Sequence, residues 1–324
     1  MLNYVIRRLF IMIPTLLAIS FISFFIVQLA PGDFLTQCKF SDKADLERCN
    51  KEAERLGLDQ PWYTRYVLWL TGILTQGNFG YSFESKRPVF DMILERLPVT
   101  LLVTIPTFLF IWIVALPLGI FSATRQYSLA DHTFTFFGFL GLSIPTFFFA
   151  YLIMYVLVIH FNFSSVAGLF SQSYISAAWS WNKFVDYLQH LWPIVLVVGG
   201  SALAGLLRLM RGQMLDIFGS QYIKTARAKG LTEKTVIYKH AVRNAINPMI
   251  TIFGQSLGGL ISGSLITAIV LNIPNVERLF FEAIQRNDEL LVMATLMMLA
   301  VVLLVGNLLA DIALALVDPR IRYD

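Results

Sequence analysis

Few residues in this chain are equipped for chemistry. Eight cations, Arg208, Arg211, Lys224, Arg227, Lys229, Lys234, Lys239 and Arg243, gather in one stretch between apolar runs. Such a cluster can hold the acidic groups of a partner or of a lipid surface. No G-x-S-x-G, H-E-x-x-H or paired carboxylate accompanies it, so neither hydrolysis nor metal chemistry is expected. A phosphate-binding G-x-x-x-x-G-K-[ST] is also absent, and the glycine-rich GQSLGGLISG lacks its lysine. Asp311, one turn beyond Asn307, is the one exception to apolar runs almost free of charge. It is either an ion or proton relay or the structural partner of a juxtamembrane arginine, and the second reading is preferred. Cys38 and Cys49 share one segment and read either as a disulfide closing a small ring or as two free thiols. The scattered His132, His160, His190 and His240 read as ordinary interfacial residues.

The elements that position these residues follow from composition. Of 324 residues, 56% are hydrophobic and only 14% charged, with 27 Phe. A soluble domain is about a quarter charged, so this is a membrane protein. Apolar runs at 9–30, 97–122, 133–160, 191–207, 248–272 and 290–317 predict an all-α integral membrane protein with six transmembrane helices. The first run reaches about 33 Å and lacks a small-x-small cleavage site, so it is a retained span rather than a signal peptide. The basic stretch shares its side of the membrane with Arg7, Arg8, Arg125, Arg320 and Arg322; the alternate short loops hold only Lys183, Arg278 and Arg286. That bias puts both termini and the stretch in the cytoplasm. The formal charge of +4 thus speaks of topology, and nucleic acid is not an expected partner.

Three regions are expected: 1–30 with the first span, 31–96 as an external loop, and 97–324 as a five-helix core carrying the basic loop at about 208–247. In the external loop, Ser41 or Asp42 caps a helix through KADLERCNKEAERL that ends at Gly57. Pro61 opens a second helix, PWYTRYVLWLTGIL, whose Trp62, Tyr63, Tyr66 and Trp69 suit the membrane surface. It is too short, and carries Arg65, to be a seventh span. In the fifth span Gly254, Gly258, Gly259 and Gly263 form two interleaved G-x-x-x-G spacings, with Gln255, Ser256, Ser262, Ser264 and Thr267 adding polarity. Gly200 with Ala204, and Ser201 with Gly205, repeat the small-residue theme in the fourth. These faces serve helix packing or line a solute pathway.

Within YIKTARAKGLTEKTVIYKHAVRNAINP, a short helix should run from Tyr222 to Lys229 and end at Gly230. Thr232 caps a second helix with Glu233 in its first turn, and Asn247 caps the fifth span, which starts at Pro248. Ala226 and Gly230, four apart, share a side with Ile223 and Thr225: a low, weakly polar surface ringed by Lys224, Arg227 and Lys229. Docking of a protein partner is preferred there over a solvated basic loop held near lipid.

This stretch resembles the EAA-type cytoplasmic loop of ABC-importer permeases, in the form found in the oligopeptide/dipeptide permease family. YVIRRLFIMIPTLLAISFISFFIVQLAPGD is similar to that family's first span, LGLDQPWYTRYVLWLTGILTQGNFGYSF to its external segment, and VDPRIRY to its C-terminus. The resemblance covers essentially the whole chain and points to the B-type permease subunit with the type I importer fold, in a bacterial or archaeal inner membrane. It implies a second, related permease, two ATPase subunits that bind ATP and Mg, an external solute-binding protein and surrounding lipid. The chain itself would be no enzyme and hold no cofactor. Lys224, Thr225 and Ala226 stand at the Glu-Ala-Ala positions and Gly230 at the hallmark glycine, with Arg227, Lys229 and Leu231 completing the coupling loop. His240 to Arg243 replace the general Ile-x-Leu-Pro, as is usual in the peptide branch. IPNVERL and RNDEL depart from the common Pro-Gly-Leu-Gly-Arg-Leu and Arg-Asp-Tyr-Pro runs. The expected solute is a peptide; oligosaccharides and nickel chelates are the family's alternatives. A secondary transporter relying on Asp311, or a non-transporting assembly factor, are the rivals of other classes.

Overall fold

The computed structural model describes residues 2–29, 47, 51, 54, 60–82, 84–163, 167–262 and 265–317. In chain order its helices are α1 (Leu2–Leu29), α2 (Trp62–Gln76), α3 (Val89–Thr124), α4 (Leu129–Ser143), α5 (Thr146–Phe161), α6 (Trp181–Phe218), α7 (Gln221–Ala228), α8 (Arg243–Ser262), α9 (Leu265–Val270), α10 (Val276–Gln285) and α11 (Glu289–Val317). Two short strands, β1 (Tyr81–Ser82) and β2 (Arg87–Pro88), pair antiparallel ahead of α3. The chain forms two compact units, Met1–Thr100 with Pro274–Asp324, and Leu101–Ile273.

In the first unit, α1 and α11 pack side by side, and Arg8 Nη2 lies 3.1 Å from Asp311 Oδ2. Asp311 is thus the partner of a juxtamembrane arginine, the structural reading of that residue. α2 is too short to span and packs on α1 instead. Trp69 is fully buried against Phe24, Tyr66 shares a 2.8 Å hydrogen bond with Ser20, and Arg65 donates to Gln28 at 2.9 Å. Only Trp62 and Tyr63 of its four aromatics stay exposed. Glu47, Lys51 and Glu54 are helical, with a 3.0 Å ion pair between Lys51 and Glu47; the rest of the expected preceding helix lies outside the described residues.

Two buried carboxylates hold loops of this unit, both within the sequence runs that depart from the family pattern. Asp288 accepts from the Ser82 hydroxyl and from Leu291 N (3.2 Å), so it caps α11 and fastens β1 to it. Burial pushes its carboxyl above the usual range. Glu277 is 5% exposed beside Thr100, whose hydroxyl lies 3.5 Å away and accepts from Val276 N at 3.0 Å. Burial pushes its carboxyl up to about 7.

The second unit holds α4 to α9 and the rest of α3. Its core gathers Ile111, Ala115, Met210, Met214, Val236, Ala241 and Met249. Among the described residues, four helices are long and apolar enough to cross a membrane: α1 from Val5, α3, α6, and α11 up to Leu309. α4 and α5 make a fifth only if counted together, because their axes are bent by 112°. This corrects the expected straight span at 133–160. Pro145 displaces the residue before it from helical geometry, and Ile144 is extended at φ −88°, ψ 126°. The expected span at 248–272 is also altered. Asn247 caps nothing, and Pro248 sits inside α8, which continues from a wide π-type turn at Val236–Val242.

The raised Glu277 sets a pH dependence. Its neutral form is favoured by folding, so its stabilisation is complete below the ordinary 4.5 and is lost as pH rises through about 7. The loss should be on the order of 3 kcal/mol. Thermal unfolding in detergent at about pH 5 and about pH 8 should show the fall in the wild type and a flatter response in Glu277→Gln.

Candidate coupling surface

α7 is short, and its ends are built locally. Gly230 has φ +74°, the left-handed geometry that closes a helix: Leu231 N donates to Ala226 O (3.4 Å) and Gly230 N to Arg227 O (2.9 Å). The expected glycine stop is therefore present. Thr232 starts the next turn from an extended backbone, but its hydroxyl meets Thr235 Oγ1 at 2.9 Å rather than capping a backbone N–H.

One side of α7 is glued to the protein. Ile223 is fully buried and Ala226 nearly so, both in the cluster with Met210, Met214 and Val236. The Ala226 side, expected to be open to a partner, is thus the inward one. The reason is spacing: residues 223 and 226 are the pair that a 3.6-residue repeat brings under one face, and they are the apolar pair. The outward face carries Lys224, Thr225, Ala228 and Lys229, followed by exposed Gly230 and Leu231. Leu231 is 40% exposed, an apolar tip beside the cations.

The cations are not equivalent. Arg227 is engaged within the chain: Nε and Nη2 donate to Glu233 at 2.7 and 3.3 Å, and its guanidinium lies 5.7 Å from the centre of the Phe218 ring. This clasp braces the Gly230 turn. Lys224 and Lys229 have no carboxylate partner among the described residues and stand exposed on the outward face. Tyr222 Oη accepts from Asn244 Nδ2 at 3.1 Å, and the same amide donates to His240 O at 3.0 Å, tying α7 to the start of α8.

The other expected site residues are less informative. Gly254, Gln255, Gly258, Gly259 and Ser262 fall on α8, but their side chains, and all of Gly263, lie outside the described residues, as do Cys38 and Cys49. Ser256 accepts from Trp112 Nε1 at 3.3 Å. In the fourth expected span Gly200 permits a close approach of α4, where a Cβ on Gly141 would stand 3.3 Å from Gly200 O, whereas a Cβ on Gly205 would meet nothing within 4 Å.

Sequence reasoning missed a clamp near this surface. Asp131, 2% exposed, accepts from Arg211 Nε (2.8 Å) and Nη2 (2.9 Å), from Tyr127 N (2.9 Å) and from the Ser122 hydroxyl. It joins α3, the following turn and α4 to the end of α6 that leads into α7. The signal was present in Ser128-Leu129-Ala130-Asp131, a capping pattern in which Asp131 N donates to Ser128 Oγ at 3.2 Å. Breaking one half of a buried pair costs about 3–5 kcal/mol. Asp131→Asn should therefore lower the thermal midpoint in detergent, and Asp131→Asn with Arg211→Met should recover part of the loss.

The family described as binding-protein-dependent transport system inner membrane component matches residues 115–323, and its N-terminal counterpart matches residues 1–104. An oligopeptide transport system permease protein of Bacillus subtilis is 38% identical over 321 residues, covering 99% of each chain. A dipeptide transport system permease protein of Escherichia coli K12 is 31% identical over 338 aligned residues, covering 100% of this chain and 99% of its own. A di/tripeptide transport system permease protein of Pseudomonas aeruginosa is 30% identical over 335, with the same coverage. This multi-pass membrane chain, with the basic outward face of α7 between its apolar helices, belongs to the binding-protein-dependent transport system inner membrane component family.

Proposed function

We propose that this chain is a permease subunit of an ATP-driven peptide importer, forming half of the translocation pathway. The observation that carries the reading is likeness to three peptide permeases over 99–100% of this chain and 99% of each of theirs. On this reading it sits in the inner membrane with six crossings, α4 with α5 and α8 with α9 each counting as one, and with both termini cytoplasmic. A second permease completes the pathway, and an external binding protein delivers the peptide. Two ATPase subunits bind ATP and Mg beneath the complex. Their acidic cleft takes the outward face of α7, with Lys224 and Lys229 meeting carboxylates and Leu231 an apolar contact.

Mechanically, the chain supplies no chemistry of its own. Closure of the ATPases moves α7, and because Ile223 and Ala226 are set in the core, α7 cannot move without α6 and α8. Differential binding of ATP to the closed state biases the inward and outward openings. Glu277 and Asp288, both buried, shape the segments where the chain departs from the family pattern and where a delivered solute would arrive.

Gly230 separates docking from folding. A Cβ there would meet nothing within 4 Å, so a side chain costs only the left-handed backbone strain of about 1–2 kcal/mol, less for Asn. Gly230→Asn should support normal uptake. Gly230→Trp should remain inserted and assembled while uptake falls roughly ten-fold or more and ATP hydrolysis continues. Normal coupled uptake in the tryptophan variant would overturn the docking assignment.

A further inference from the structure

A second feature of the Leu101–Ile273 unit is unrelated to the α7 surface. Two cavities meet where α4 crosses α6. One, of about 310 Å3, is lined almost wholly by apolar residues, among them Phe137, Gly141, Phe149, Leu196 and Gly200. The other, of about 240 Å3, is lined by Thr135, Phe139, Leu142, Arg208 and Arg211. Gly138, Ala204 and Leu207 line both, so the two cavities adjoin at these residues, the first apolar and the second bearing two arginines. Leu196 and Arg208 lie about 18 Å apart along α6 at 1.5 Å per residue. That is close to the depth of one leaflet's hydrocarbon, about 15 Å.

The two arginines divide their roles. Arg211 is engaged with Asp131. Arg208 is exposed, stands 5.9 Å over the Phe139 ring, and has no carboxylate partner among the described residues. It is a cation lining the second cavity, next to the apolar one, on a helix long and apolar enough to cross a membrane. A helix is about 10–12 Å across with its side chains and cannot enter cavities of this size, whereas an extended acyl chain can. The exposed rings of Phe136, Phe139 and Phe148 beside it belong to a lipid-facing kind of surface.

We propose that these adjoining cavities bind an anionic phospholipid of the leaflet on the α7 side. Its phosphate pairs with the Arg208 guanidinium, and one acyl chain lies in the apolar cavity past Gly138 toward Gly200. Guanidinium matches phosphate in charge and shape, and basic pockets between membrane helices take anionic headgroups for that reason. Gly138 matters because it leaves room: a Cβ there would meet nothing within 4 Å.

The test uses the full-length chain, purified in mild detergent with its partner subunits, delipidated and titrated in native mass spectrometry. The probes are palmitoyl-oleoyl phosphatidylglycerol and phosphatidylcholine with the same chains. The wild type should bind one phosphatidylglycerol about five-fold more tightly than phosphatidylcholine, and Arg208→Gln should remove that preference while Arg208→Lys retains most of it. Gly138→Leu, which extends into empty space, should weaken both lipids without lowering the thermal midpoint. A wild type with no headgroup preference overturns the proposal, as does unchanged phosphatidylglycerol binding in Gly138→Leu. A complex that binds no phosphatidylglycerol means that protein fills the cavities in the assembly, and overturns it too. Should Arg208→Gln fail to fold, Gly138→Leu decides alone.

Discussion

The proposed coupling surface depends on the burial of two side chains, Ile223 and Ala226. An isolated helix of the eight residues of α7 would be marginal in water. It persists because its apolar face is sunk in the cluster with Met210, Met214 and Val236, and because Gly230 and the Arg227–Glu233 clasp close its far end. What is left outside is the polar remainder of the same turns. Docking face and anchoring face are therefore two sides of one short helix, and neither can be altered without regard to the other. Close-packed interiors transmit displacement rather than absorb it, so the proposed partner, gripping the outer side, would move α6 with it.

In so apolar a chain, charge that is taken out of water is used to fasten irregular backbone. Asp131 holds the turn between α3 and α4, and Asp288 holds β1 to the start of α11. Asp186 holds the segment before α6, accepting from Ser171 N at 2.8 Å and from its hydroxyl. Each of the three carboxylates takes a serine hydroxyl as well as a backbone N–H. Lys183 completes the set from the basic side. It is 6% exposed, donates from Nζ to Ala177 O at 2.6 Å, and lies 4.8 and 5.5 Å from the rings of Phe170 and Trp179. A buried charge without such partners would be costly. Here each one converts a loop into a fixed connection.

What was legible in the sequence follows from how local its causes are. The Gly230 stop, the position of α7 and the start of α2 after Pro61 rest on residues a few positions apart, and they were readable. The orientation of α7 was not. Ala226 and Ile223 looked like a shallow docking face because smallness and apolarity suit a partner's core and the chain's own core equally. Only the surrounding Met210, Met214 and Val236, drawn from other helices, decide between them. The spans were visible as apolar runs, but hydropathy does not register a missing N–H, so the break at Ile144–Pro145 went unseen. Asp131 and Lys183 were hidden for a related reason. Both lie ahead of apolar runs, where a solvated charge and a buried, paired one look alike until the partner is placed: Arg211 from another helix for Asp131, and the carbonyl of Ala177, six residues back, for Lys183.

The breaks and the anchor bear on each other through α8. The Tyr222–Asn244 hydrogen bond attaches α7 at the base of that helix, beside the wide turn of Val236–Val242. One turn further on, Pro248 offers no N–H, and its ring crowds the carbonyl four residues back, which belongs to Asn244 itself. The helical ladder is therefore weakest at the residue to which α7 is attached. On the proposed coupling role, force delivered through α7 would enter α8 there, below the turns that continue toward Ser262. A uniform helix would spread that displacement along its length. One with a wide turn and a missing bond at its base can tilt as a unit, which is the motion that opening one side of a membrane pathway requires while the spans stay rigid.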